Sequence, residues 1–399
     1  MLLGKEIKKT VWSITFFVFM IALAAFQAAQ GGLDFSDEIL AEPGPGEDYG
    51  IQQKEVPELI MPAAFRSLWK EFEANEYTAY PIGFYKNVKL GDADREKMAG
   101  IISALTGIPA EELSGGGASL SDDISYEEFR AYMRQADDLI GGGSNYSEDG
   151  LLEFSYAAMN YEDAVESYQL IAGKDKFTGA YARLFCDYAG IILSILPVFP
   201  AVSMCLKDRR AKMNDLIYVR RTPSCRLVLS RYFAIILAVM LPAAALAYLS
   251  NMTVWGKYGN MELDYLAPLK YAVGWLLPSV MIAAAVGLFF TELTGTPVAI
   301  AIQGLWWLTD LNAGARRLRG AHTLFELMPR HNSLGNTRGY LDEFHVLAAN
   351  RLLVAAAALL LVAATLLVYE QKRKGKFGDE EKIKRFLTGL ANRKSKFQV

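Results

Sequence analysis

The chain has 399 residues, 52% of them hydrophobic, and a formal net charge of −3. That length allows two or three domains, and no basic surplus marks a nucleic-acid partner. The only cysteines, Cys186, Cys205 and Cys225, lie in or beside apolar runs, which excludes a disulfide-framed secreted fold.

The apolar residues are clumped. Nearly uncharged runs cover 10–33, 188–206, 232–250, 271–290, 293–309 and 352–369. About 20 helical residues, each rising 1.5 Å, cross a hydrocarbon core of about 30 Å. The fold class expected is therefore an all-α membrane protein with six transmembrane helices. A large, mostly helical extracytoplasmic domain falls between the first and second of them.

Residues 1–30 read as a basic amphipathic lead-in followed by the first crossing. Lys5, Lys8 and Lys9 hold the N-terminus in the cytoplasm under the positive-inside rule. A cleaved signal peptide ending near Ala22-Leu23-Ala24 is the weaker reading, because the uncharged run spans 24 residues.

Residues 31–177 carry 29 acidic against 11 basic side chains, a net of −18, while the rest of the chain carries 15 against 30. Long domains translocate largely regardless of charge, so this block is placed outside. "AEPGPGEDYG" (41–50) is a flexible opening. Phe65, Leu68, Trp69 and Phe72 then follow helical spacing, as do Phe129, Met133, Ala136 and Ile140. The second stripe begins after Ser and acidic residues and stops on glycines. The runs "SGGG" (114–117) and "GGGS" (141–144) are read as helix ends. Asn145-Tyr-Ser and Asn251-Met-Thr match the glycosylation sequon by chance.

Residues 178–370 hold the remaining five crossings and include Pro197, Pro200, Pro242, Pro278 and Pro297. The fifth run is barely long enough to span and is expected to be broken or re-entrant. The 310–346 segment should be outside, although "GARRLRG" (314–320) is basic. His322, His331 and His345 all fall there and are read as ordinary loop histidines, with Glu326 and Asp342 spaced to share a helix face with the first and last. Asp187, at a membrane edge, is the nearest approach to an intramembrane charge cluster. Residues 371–399 form a basic cytoplasmic tail with ten Lys and Arg.

No G-x-x-x-x-G-K-[ST], H-E-x-x-H or G-x-S-x-G occurs, so no enzymatic activity, cofactor or metal site is expected in this chain. The cytoplasmic segment 207–231, "KDRRAKMNDLIYVRRTPSCRLVLSR", has eight Lys or Arg. Met213, Leu216 and Ile217 make a small apolar face among Asp208, Arg209, Arg210, Lys212 and Asp215. Pro223 breaks that helix, and Arg226 and Arg231 sit at the mouth of the next crossing. Charge alone is explained by positive-inside anchoring; the ordered helix–Pro–helix pattern is not.

This segment resembles the loop between the second and third helices of ABC-2 type exporter permeases, in "LIYVRRTP" (216–223), "CR" (225–226) and "LSRYFA" (229–234). The layout of six crossings, basic amphipathic start and a loop before the last helix is similar to that family too. Asn214 stands where the family often has glycine, and Cys225 where it has serine. The resemblance implies a coupling helix docked on a separate cytoplasmic ABC ATPase, in two copies, which binds ATP and Mg. The coupling residues would be Asp208, Arg209, Arg210, Met213, Asp215, Leu216, Ile217, Pro223 and Arg226. It also implies a second permease subunit, identical or related, and a multi-pass location in a bacterial plasma membrane with both termini cytoplasmic. A different class of function, a membrane sensor or anchor whose acidic domain binds an extracellular partner, competes with it.

Overall fold

A computed structural model describes residues 2–81, 83–113, 119–211, 213, 217–218, 222–314, 322–331 and 334–375. The chain divides into two compact units, Met1–Leu40 with Leu170–Val399, and Ala41–Gln169. The boundary is displaced from the expected 31–177. The Tyr181 hydroxyl donates to the Glu38 carbonyl (2.7 Å) and accepts from the Leu40 N–H (3.2 Å), and Phe35 packs on its ring. These contacts tie residues 31–40 to the helical unit.

That larger unit is mostly helical. Thr178–Arg210, Ser224–Lys257, Ala267–Thr294 and Phe344–Arg373 are long and apolar enough to cross a membrane. Leu2–Val11 and Ile14–Ala29 join them as one further span if the pair is counted together, bent by 64°. The bend sits at Ser13, an extended residue whose side chain accepts the Phe16 N–H and so starts a new helix. The run expected to give the fifth crossing forms Val298–Gly314, 17 residues and about 25 Å long, short of a bilayer core. Gly295, at φ +71°, ends the preceding helix, and Pro297 cannot continue it.

Thr178–Arg210 breaks at Ser194–Pro197, where Pro197 provides no N–H. The Gln303 amide donates to the Ser194 carbonyl and the Trp307 indole to that of Ile191, both at 2.7 Å. In an apolar medium, such open carbonyls need partners inside the protein. Ala267–Thr294 is central, packed on both Phe344–Arg373 and Val198–Arg210. Its small residues allow close approach: a Cβ at Gly287 would meet that of Ala201 at 2.5 Å.

The Ala41–Gln169 unit is built on Pro57–Ala74, Asp92–Thr106 and Tyr126–Ile140. The two stripes read from the sequence are its core: Phe65, Leu68, Trp69, Phe129, Met133, Ala136 and Ile140 are buried, with Phe72 packed against them. Ser125 and Glu128 form a capping box at the start of the last helix, and Gly141 ends it at φ +101°. Two short antiparallel ribbons, absent from the sequence expectation, complete the unit: Ile51–Gln53 with Tyr156–Ala158, and Tyr77–Ala79 with Lys86–Val88.

Within this core, Glu71 accepts the Tyr146 hydroxyl at 2.6 Å and the Thr78 N–H at 3.0 Å. Burial outweighs those bonds and raises its carboxyl above the ordinary glutamate value of 4.5. The folded unit therefore binds more protons than the unfolded chain above pH 4.5, and the Glu71 contribution to stability declines as pH rises through that interval. Residues 41–169, expressed alone, should unfold cooperatively in urea. Subtracting the pH profile of Glu71→Gln from that of the wild type should leave this downward slope. An upward or flat difference would show Glu71 is held as a carboxylate.

Candidate functional sites at two ends of the helical unit

Asp208, Arg209 and Arg210 form the last turn of Val198–Arg210, which ends at Ala211. The Met213 carbonyl accepts the Ile217 N–H at 3.0 Å. Of the amphipathic helix expected over 208–217, Asp208–Arg210 belong to the end of the long helix. Asp208 pairs with Arg231, both largely buried. Arg209 lies against the Gly295 turn, where an added Cβ would fall 1.5 Å from its guanidinium. Arg210 is exposed, and Met213 is 38% exposed. Ile217 is half-buried and lines a small cavity with Tyr218, Cys205 and Glu292. Pro223 caps Ser224–Lys257 and Arg226 is exposed on its first turn. Asp215 and Leu216 lie outside the described residues, as do Lys212 and Asn214.

The ends of this loop are fastened to other helices. Tyr218 packs edge-on against Tyr369 at 5.4 Å, and Arg373 donates to the Thr222 carbonyl at 2.9 Å. Ser224 bonds Glu370, and Lys372 pairs with Glu292 of the central helix. The loop is therefore joined directly to Phe344–Arg373, and that helix is joined in turn to Ala267–Thr294 by the Lys372–Glu292 pair.

About 25 residues back along Thr178–Arg210, some 38 Å if fully helical, lies a second polar centre. Arg183, 1% exposed, forms a two-pronged pair with Asp175 at 2.9 and 2.8 Å. Its guanidinium also stacks over the Tyr340 ring at 4.3 Å, and the Thr337 hydroxyl donates to Asp175 at 2.6 Å. One turn further, fully buried Asp187 accepts the His331 N–H at 2.7 Å and faces Arg330 at 3.3 Å. His322 pairs with Glu326 at 3.2 Å and stacks on His331 with ring centres 6.3 Å apart. Burial and the Arg183 charge push His331 down to about 3, so its ring is neutral.

Residues 322–331 and 334–342 are thus locked into the helices by charged and aromatic contacts. His322 and His331 lie in loop segments and are buried among these contacts, whereas His345 is exposed on the first turn of Phe344–Arg373. Among the described residues, no group of three or more His, Cys, Asp or Glu is placed to hold a metal ion.

The backbone around this centre is irregular. Ile171–Asp175 and Ala272–Leu276 are π-helical turns, and Lys176 and Phe177 have φ of +49° and +55°. Such turns and left-handed non-glycine residues concentrate at working sites. They border a cavity of about 540 Å³ lined by Asp175, Tyr271, Trp275, Tyr340, Arg351 and neighbours. Of this centre the sequence reading singled out Asp187 alone as an edge charge, because Arg183 and Arg351 sit at the ends of apolar runs. The available signal was the spacing of Arg183 and Asp187, four apart and on one helix face. Comparisons with family models, curated proteins and solved structures find no match to this chain.

Proposed function

We propose that this chain is the membrane-spanning permease subunit of an ABC-2 type exporter, driven by a separate ATPase that docks on 207–231. The observation that supports this most is the fastening of the loop. A lever must be connected to the elements it moves, and Tyr218, Thr222 and Ser224 connect this one to Phe344–Arg373, with Glu292 and Lys372 extending the link to the central helix. Nucleotide-driven closure of a bound ATPase would then shift the helix ends as a body. Met213 remains exposed for contact with that partner.

On this reading Val298–Gly314 makes the fifth crossing, and the chain between it and Phe344 lies outside. The chain has six crossings, both termini lie in the cytoplasm of a bacterial cell, and the acidic Ala41–Gln169 unit lies outside. ATP and Mg belong to the partner, and a second permease subunit, identical or related, completes the transporter. A tagged chain purified from its native host in mild detergent should bring an ABC ATPase with it. Purification without any nucleotide-binding partner would remove the reading. In intact cells, single cysteines near Tyr258 should label with an impermeant reagent while those near Lys374 should not; the reverse pattern would refute the orientation alone.

A further inference from the structure

Arg351 is an unusual residue to find in this place. It sits one turn or two into a long apolar helix, is 6% exposed, and carries a fixed positive charge. Its N–H groups donate to Asn350 Oδ1 (2.7 Å), Ser279 Oγ (2.9 Å) and the carbonyl of Glu326 (2.8 Å), with longer bonds to those of Trp275 and Leu327. Every one of these acceptors is neutral. The Glu326 carboxylate is turned to His322 and Thr323 instead. A buried charge is costly when no opposite charge is close to it.

Arg351 also lines the 540 Å³ cavity, whose size falls in the range of about 300–1,000 Å³ typical of small-molecule sites. The other charges in its wall nearly cancel. Asp175 is committed to Arg183, and Asp264 to Lys270. Lys174, exposed at the rim, adds a second positive charge that none of these pairs neutralises. The rest of the wall is apolar or aromatic, and it runs outward to Phe344 and Leu352, which are 51% and 72% exposed. The site therefore offers a cationic floor, aromatic sides and an oily exit along the face of a membrane helix.

We infer that this cavity binds an anionic amphiphile, a phosphate or carboxylate head with a hydrocarbon tail, the head set at Arg351 and Lys174 and the tail along Leu347, Phe344 and Leu352. The head adds a counter-charge inside the cavity, beyond the carboxylates of Glu326 and Asp310 whose fields already reach Arg351. The tail covers apolar wall that water would otherwise wet. This inference needs no ATPase and stands whether or not the chain is an exporter subunit.

The test uses the purified full chain in neutral dodecyl maltoside micelles, titrated with monododecyl phosphate while its thermal unfolding midpoint is followed. Binding to the folded state alone raises that midpoint in a saturable way. Inorganic phosphate supplies a head without a tail, and dodecyltrimethylammonium a tail with the wrong charge. Neither should raise the midpoint. Gly274→Leu should fill the cavity, because a Cβ at Gly274 meets nothing within 4 Å, and should weaken binding by about tenfold or more. Lys174→Gln, a change at an exposed position that does not threaten folding, should weaken it by about threefold. The inference is overturned if monododecyl phosphate gives no saturable rise, if the cationic amphiphile matches it, or if both variants bind like the wild type. A rise of equal size with inorganic phosphate would also overturn it, leaving a simple anion site.

Discussion

On the proposed exporter reading, changing Met213, Leu216 and Ile217 together to Ser should leave membrane insertion intact and abolish copurification of an ATPase. All Lys and Arg that hold the topology remain in this variant. Each apolar side chain fully buried in a docking cleft contributes about 1.5–3 kcal/mol, so losing even two weakens the complex by about a hundredfold or more. Met213, exposed in the free chain, should carry much of this. Part of the Ile217 effect will be internal, since it already lines the small cavity beside Tyr218. Arg210→Gln is the matched control: an exposed charge at a rim is worth about 0–1 kcal/mol and acts mainly on association rate. The outcome is read from the yield of ATPase copurified with equal amounts of tagged chain. If the triple variant retains its ATPase and transports normally, the loop is an anchor and the exporter reading fails with it.

The second large effect belongs to the other end of the unit. Asp175→Ala should cost about 3–5 kcal/mol, because Arg183 would remain buried without its carboxylate. The Thr337 hydroxyl would lose its acceptor at the same time, loosening the start of Thr337–Asp342. Removing both charges in Asp175→Ala/Arg183→Met should be much less harmful than the sum of the single changes, because the stranded charge goes too. Unfolding midpoints in neutral detergent and protease sensitivity near Tyr340 measure the two consequences. A single variant as stable and as resistant as the wild type would mean that the pair is replaceable by solvent.

Periodicity carried the sequence reading where structure is local. Phe65, Leu68 and Trp69 share a face because they are spaced at a helical repeat, and burial follows from that spacing. The glycines after Ile140 marked the end of that helix for equally local reasons, and Gly141 stands there. Contacts between distant parts of the chain left no such trace. The Ile51–Gln53 strand pairs with residues more than a hundred positions later, and nothing in either tripeptide names its partner. The Asp187 cluster was likewise illegible: Arg330 and His331 reach it across more than 140 residues, through a segment that reads as an ordinary loop. At the predicted coupling loop, composition located the basic segment, but Asp208 to Arg210 proved to continue the preceding helix. A hydropathy pattern sees no boundary where one helix is extended by charged residues.

The π-helical turn at Ala272–Leu276 has a rotational consequence. It accommodates one residue more than an α-helical turn, and one residue corresponds to about 100° around a helix. Everything before it in Ala267–Thr294 is therefore out of phase with everything after it. Lys270 and Tyr271 lie before the insertion, while Ser279 and the small residues that pack on neighbouring helices lie after it. The extra residue lets one continuous apolar rod present two separately aimed faces, one toward the cavity and one toward its neighbours. Without that phase offset, a helix positioned by its Gly287 contact would carry Tyr271 about a quarter-turn away from Arg183.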